Sequence, residues 1–362
     1  WDNQDEVAKA IQGTELKGNL VKRYMKKKDL EVNPLKIELD LSVDQDKISS
    51  FVSANCDSAV ADAVDATITR KNGKFEITPS KEGVTVDMDA TKAALNEALN
   101  SEDTGAIRVE ASVTVDKPKV TEEDLATIKD VIGTFSTSFA TSGASRSTNL
   151  AVGSGKINGH VLMPGEVLSG YECMHPFTLE NGYKTATAYE NGRSVDSIGG
   201  GVCQVSSTMY NAVVKAGLKT TMRRSHTFEP SYVTPGTDAT VSWRGPDYKF
   251  VNNSSAAIGI RASYYNQTCT VSIYGIPLLE EGVTHSLKST KLSETDPPAP
   301  TYEEDPTLAP GTEKVKSNGS KGSKWETRLI VAKNGEVVSQ DVDHNVTYKG
   351  HTPVILRNSS GT

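Results

Sequence analysis

The chain has 362 residues, 36% of them hydrophobic and 6% aromatic, with a formal net charge of −7. That length exceeds one ordinary core and implies two or three domains. The acidic balance gives no electrostatic basis for a nucleic-acid partner, and no apolar run reaches the roughly 18 residues of a membrane-spanning helix.

Residues 35–42, 74–80 and 83–89 alternate and read as strands, residues 46–64 and 91–101 as helices, and 107–120 as a long strand. Residues 1–132 therefore read as one α+β module without a chemical constellation. Within it Cys56 lies in an alanine-rich helical stretch and suits a buried packing role. Residues 133–159 are rich in Ser, Thr and Gly and read as a connection with room for a short strand. A central module over 133–280 is expected to be an antiparallel sheet with a packed helix. Beyond residue 219 it is mostly β, with runs at 219–226, 238–245, 248–253, 258–265 and 269–275. The Pro-rich, acidic stretch 292–314 reads as extended, with a linker over 281–300. Two alternating runs around Asn334-Gly335 predict a hairpin inside a small all-β module over 301–362. The fold class is thus α+β, multidomain. The chain opens at Trp1 rather than Met, so any signal or anchor segment upstream would lie outside this sequence.

Residues 197–218, SIGGGVCQVSSTMYNAVVKAGL, carry the chemistry. Val205, Met209, Ala212, Val213 and Ala216 recur at helical spacing, so Cys203 opens a helix. Free N–H groups and the positive end of the helix dipole converge there and favour thiolate, the nucleophilic form. The N–H groups of Gly200 and Gly201, with Gln204, are candidates to hold an oxyanion or substrate. The competing reading is a small residue packed where a helix meets a sheet. Of the six histidines, His226 follows the strand after the Cys203 helix and is the expected base, with His175 as its rival. Asp238 and Asp247 are both candidates to orient the imidazole, and Arg223 and Arg224 could bind a carboxylate. Four cysteines, Cys56, Cys173, Cys203 and Cys269, are too irregularly spaced for a disulfide framework. Cys173, His175, Cys203 and His226 match no zinc spacing, so no metal and no cofactor is expected.

The runs GYKTATAYENGRSVDSIGGGVCQVSSTMYNAVVKAGL and RRSHTFEPSYVTPGTDATVSWRGPDYKFVNNS resemble the VanW domain, over residues 164–275. TYEEDPTLAPGTEKVKSNGSKGSKWETRLIVAKNGEVVSQ resembles the G5 domain, and the first 130 residues resemble, more distantly, the peptidoglycan-binding domain that commonly precedes VanW. The resemblance implies an extracellular, wall-associated protein of a Gram-positive bacterium, held at the membrane only by an upstream anchor. Its implied partners are peptidoglycan stem peptides and glycan. The implied activity is L,D-transpeptidation, in which a Cys203 thioester forms 3-3 cross-links. The catalytic set would be Cys203, His226 and Asp238, with Gly200, Gly201, Gln204, Arg224 and His175 on the substrate side. Cys173 and His175 depart from the family pattern, and a Cys173–Cys203 disulfide is conceivable. A non-catalytic wall-binding protein and a cysteine peptidoglycan hydrolase or amidase are the alternatives.

Overall fold

The computed structural model describes residues 2–38, 44–71, 74–100, 106–190, 193–243 and 245–360. The fold is mixed α+β, and it separates into two compact units. One comprises residues 1–65 and 80–119, the other residues 66–79 and 120–362.

In the first unit, helices Gln45–Cys56 and Met88–Leu99 begin at Asp44 and Asp87, whose carboxylates accept N–H groups of the first turn. Gly83–Val86 pairs antiparallel with Val113–Asp116. Two expectations change here. Residues 35–38 join no ladder, and the rest of that expected strand lies outside the described residues. Of the long strand expected over 107–120, only Val113–Asp116 forms. Cys56 is half-buried.

In the second unit the hairpin of Thr67–Lys71 and Lys74–Thr78 packs with Leu125, Ile128, Ala257 and Tyr274, and Phe75 meets Tyr274 edge-on at 5.0 Å. Residues 66–79 and 120–132 thus fold with the chain that follows rather than with the first module.

The frame of the site is a four-stranded antiparallel sheet. Its strands are β1 (Asp130–Ser138), β2 (Val161–Leu162), β3 (Ile258–Tyr265) and β4 (Thr268–Gly275), in the order β1-β4-β3-β2. Two helices pack on it. α1 (Ala144–Ile157) lies against β3, and α2 (Cys203–Lys215) lies against β1 and β4. The core between them holds Leu150, Ile157, Val205, Met209, Val213, Val271 and Ile273.

Residues 133–159, expected to be a connection, are instead β1 and α1. Their small side chains serve close packing rather than looping. Gly153 faces Met174 and Val205, and Ser154 Oγ lies 3.5 Å from Cys269 Sγ. A Cβ on Gly133 would sit 2.6 Å from the backbone N of Ala216, so α2 approaches β1 only because that side chain is missing. Gly133→Ala is expected to destabilise the protein by about 1–3 kcal/mol through overpacking against backbone that cannot yield, read as a lowered thermal midpoint. An unchanged midpoint would show that the helix can shift off the sheet freely.

The linker expected over 281–300 also changes, because Val283–Thr295 is a strand, β5. It pairs with β6 (Gly322–Lys333), which pairs in turn with β7 (Glu336–Tyr348). Asn334 and Gly335, at φ 53 and 88, make the β6–β7 turn. A second three-stranded sheet, Thr301–Glu304, Val354–Arg357 and Glu313–Ser317, completes this all-β region.

Candidate active site

Cys203 is the first residue of α2, at the positive end of its dipole. The turn before it uses Gly201 at φ +103, where a Cβ would lie 2.7 Å from Arg146 Cγ, so glycine is required on both counts. α2 is buried yet polar. Ser206 Oγ donates to Ala239 O at 2.7 Å, Ser207 Oγ accepts from Ala239 N–H at 3.0 Å, and Asn211 Nδ2 donates to Thr237 O at 2.8 Å. These bonds explain why residues 238–242 form no strand, contrary to the strand expected over 238–245. Helix side chains satisfy the Ala239 peptide, while Thr240 N–H donates to Arg224 O, Ser242 N–H to Pro246 O and Arg223 to Asp238 O, so no ladder partner is needed. They also hold the Asp238 segment beside the Cys203 turn.

Asp238 is 0% exposed. Its Oδ2 accepts the His226 backbone N–H at 2.7 Å and ring Nδ1–H at 2.6 Å. Its Oδ1 accepts the Tyr348 hydroxyl at 2.6 Å, and Arg223 Nη2 lies 3.9 Å away. With Nδ1 committed, the other ring nitrogen of His226 is the one left for Cys203, and the two side chains interact electrostatically. Cys203 Sγ also lies 3.3 Å from Val241 O.

Burial alone raises the Cys203 thiol, but its interaction with His226 outweighs it and leaves the thiol below its ordinary value. Burial alone lowers His226, yet Asp238 and Cys203 push it up to about 10. Asp238 is raised by burial, but lowered further by His226 and Tyr348, so it stays a carboxylate. The opposite directions favour transfer of the thiol proton to the imidazole, with a buried counter-charge behind it.

The remaining expected site residues divide. Gly200 N–H already donates to Ser197 O at 3.2 Å. Among the described residues, Gly201 and Cys203 have no backbone hydrogen bond from their N–H groups. Gln204 is not on the substrate side. Its Nε2 donates to Thr137 Oγ1 and Ser138 O, both at 2.9 Å, and its Oε1 accepts from Arg146 Nη2 at 2.8 Å. Arg224 is exposed, and its carbonyl accepts from Thr240. Arg223 lies over the Tyr210 ring and donates to Asp238 O and Gly236 O, a bracing role. His175 stacks on Tyr171 at 4.9 Å and donates from Nδ1 to Glu172 O, and none of its hydrogen bonds reaches Cys203. Asp247 instead ties Ser169, Tyr171 and Tyr248.

Cys173 makes a useful contrast. Its Sγ lies 3.4 Å from His160 Nε2, but burial, with the charges of Asp247 and Glu172, pushes the thiol up to about 11. A Cys–His contact without an acid behind the imidazole leaves this thiol raised rather than lowered. Cys173 and Cys203 are both free.

Sequence reasoning missed three residues. Tyr232 Oη lies 3.4 Å from His226 Nε2, and burial with the Cys203 charge keeps it a phenol. Arg146 packs on Gly201 and over the Tyr232 ring at 5.8 Å. Tyr348 comes from β7. Only the Tyr232 loop carries a local hint, as an aromatic beside a proline turn close after His226.

A family model described as "VanW like protein" matches residues 145–274. A "Putative peptidoglycan binding domain" matches 3–108 and a "G5 domain" matches 288–357. The chain is 34% identical over 233 residues to "Uncharacterized protein YoaR" of Bacillus subtilis (strain 168), covering 64% of this chain and 75% of that one. It is 28% identical over 117 residues to "Vancomycin B-type resistance protein VanW" of Enterococcus faecalis (strain ATCC 700802 / V583), covering 31% of this chain and 42% of that one. Among solved structures, the G5 domain of IgA1 protease aligns with 21% of this chain and 88% of its own at 25% identity, with a TM-score of 0.16. HP0197-G5 aligns with 21% of this chain and 96% of its own at 15% identity, with a TM-score of 0.14.

Proposed function

The chain belongs to the VanW family, and from that premise we propose that it is a cysteine L,D-transpeptidase of peptidoglycan. The three family matches point to a peptidoglycan-associated cell-wall protein. The observation that carries the catalytic reading is Cys203 at a helix N-terminus, electrostatically paired with a His226 that a buried Asp238 carboxylate holds in place.

In this reading the Cys203 thiolate attacks the L-centre carbonyl of the third residue of a tetrapeptide stem. The N–H groups of Gly201 and Cys203 receive the oxyanion. The C–N bond to D-Ala breaks, and the D-Ala amine leaves with the proton from His226. A thioester remains on Sγ. The side-chain amine of a neighbouring stem attacks it, returns a proton to His226 and expels the thiolate, closing a 3-3 cross-link. Arg146, which packs on Gly201 and donates to Ser142 and Gln204, is the cation this reading assigns to the stem carboxylate, a role first expected of Arg223 and Arg224.

The protein is expected to release D-Ala from disaccharide-tetrapeptide and form dimers, read by mass. Cys203→Ala should abolish both while preserving the melting curve, since it removes little volume. Full activity in Cys203→Ala overturns the mechanism. A wild type that binds the muropeptide without releasing D-Ala leaves a wall-binding module. Release of D-Ala without dimers assigns water as the acceptor.

A further inference from the structure

We propose that Tyr348, in the G5 region, is a positioning residue for the Cys203–His226–Asp238 site, so that this region completes the active site rather than only holding wall material. The inference rests on the catalytic reading above. A buried tyrosine hydroxyl must find a polar partner, and most backbone carbonyls would serve. Here the phenol is fully used by the segment that bears the acid. Its O–H donates to Asp238 Oδ1 at 2.6 Å, and its oxygen accepts the Gly236 N–H at 2.6 Å. His226 takes both of its bonds from Oδ2 alone. Tyr348 therefore pins the far carboxylate oxygen, and with it the rotation of the group that faces the imidazole.

The neighbouring contacts fasten the same two loops. His344 Nε2 donates to Gly236 O at 2.8 Å. Lys349 N–H donates to Thr227 O at 2.8 Å, Phe228 stacks on His351 at 4.0 Å, and Trp325 Nε1 donates to Glu229 at 2.8 Å. Both the residues just after His226 and those just before Asp238 are thus held by the G5 region. Without the phenol, Oδ1 would be buried with, among the described residues, Arg223 near it at 3.9 Å. Asp238 would then turn toward Arg223 or take up a proton. Either change loosens its hold on His226 and weakens the imidazolium that keeps Cys203 ionised.

The test needs no substrate. Iodoacetamide alkylation of the full chain is followed against pH, with the Cys203 peptide quantified by mass. The wild type is expected to show a thiolate midpoint below that of an ordinary cysteine. In folded Tyr348→Phe the midpoint should rise by about one pH unit, a roughly tenfold slower alkylation below both midpoints. Trp325→Phe, which removes an interface bond away from Asp238, should leave the midpoint in place. If Tyr348→Phe fails to fold, 3-fluorotyrosine at position 348 keeps the shape, changes the donor strength and should displace the midpoint. A low wild-type midpoint left unmoved by either replacement overturns this inference alone. An equal rise in Trp325→Phe also overturns it, because general stiffening would then suffice. An ordinary midpoint in the wild type overturns the catalytic reading with it.

Discussion

Asp238→Asn is expected to lower kcat for D-Ala release by about 10³–10⁴-fold while the fold survives. The carboxylate meets donors on both oxygens, His226 on one and Tyr348 on the other. An amide has one oxygen and one NH₂, so it can suit only one side. With its NH₂ toward His226, it forces the ring proton onto the nitrogen that faces Cys203, and the imidazole can no longer take the thiol proton. With its oxygen toward His226, the NH₂ meets the Tyr348 hydroxyl, and the imidazolium still loses its counter-charge. Steady-state rates on tetrapeptide, beside a melting curve, check this. A loss below tenfold would mean that Asp238 only braces the loop.

The second large effect concerns pH and His226. Below the lowered Cys203 value the thiol is protonated and the nucleophile is lost. Above about 10, where His226 gives up its proton, the departing amine loses its acid. The rate should therefore follow a bell whose alkaline limb lies near 10 and whose acid limb lies below the ordinary thiol range. His226→Ala should cut the rate by about 10²–10⁴-fold. It should also move thiolate formation upward, because burial, which by itself raises Cys203, would then lose its main opponent. A His226→Ala protein whose acid limb stays in place would show that the helix dipole alone ionises Cys203.

Part of the site was legible before any coordinates. Val205 to Ala216 recur at helical spacing, so α2 and the place of Cys203 at its mouth follow from a local pattern. The strand Lys219–Met222 returns directly from α2, which brings His226 back toward Cys203. Other parts were not legible. Residues 133–159 look like a loop by composition, because Gly, Ser and Thr mark both turns and tightly packed helices, and only the partner surface tells them apart. Gln204 sits in the right turn, but its side chain points at β1 and Arg146.

Sequence alone determined the α+β class, the helix that presents Cys203 and the Asn334-Gly335 hairpin, and it offered His226 as the partner of Cys203 with His175 as the rival. These depend on interactions within a few residues, or between an element and its immediate successor, where periodicity and turn preference act directly. Tertiary structure alone decided between Asp238 and Asp247, which sit in similar proline-glycine turns. It also brought in Arg146, Tyr232 and Tyr348, the last 110 positions from the carboxylate it holds. A hydrogen-bond partner is chosen by which polar atoms packing leaves facing each other in a dry interior, and no spacing along the chain encodes that choice.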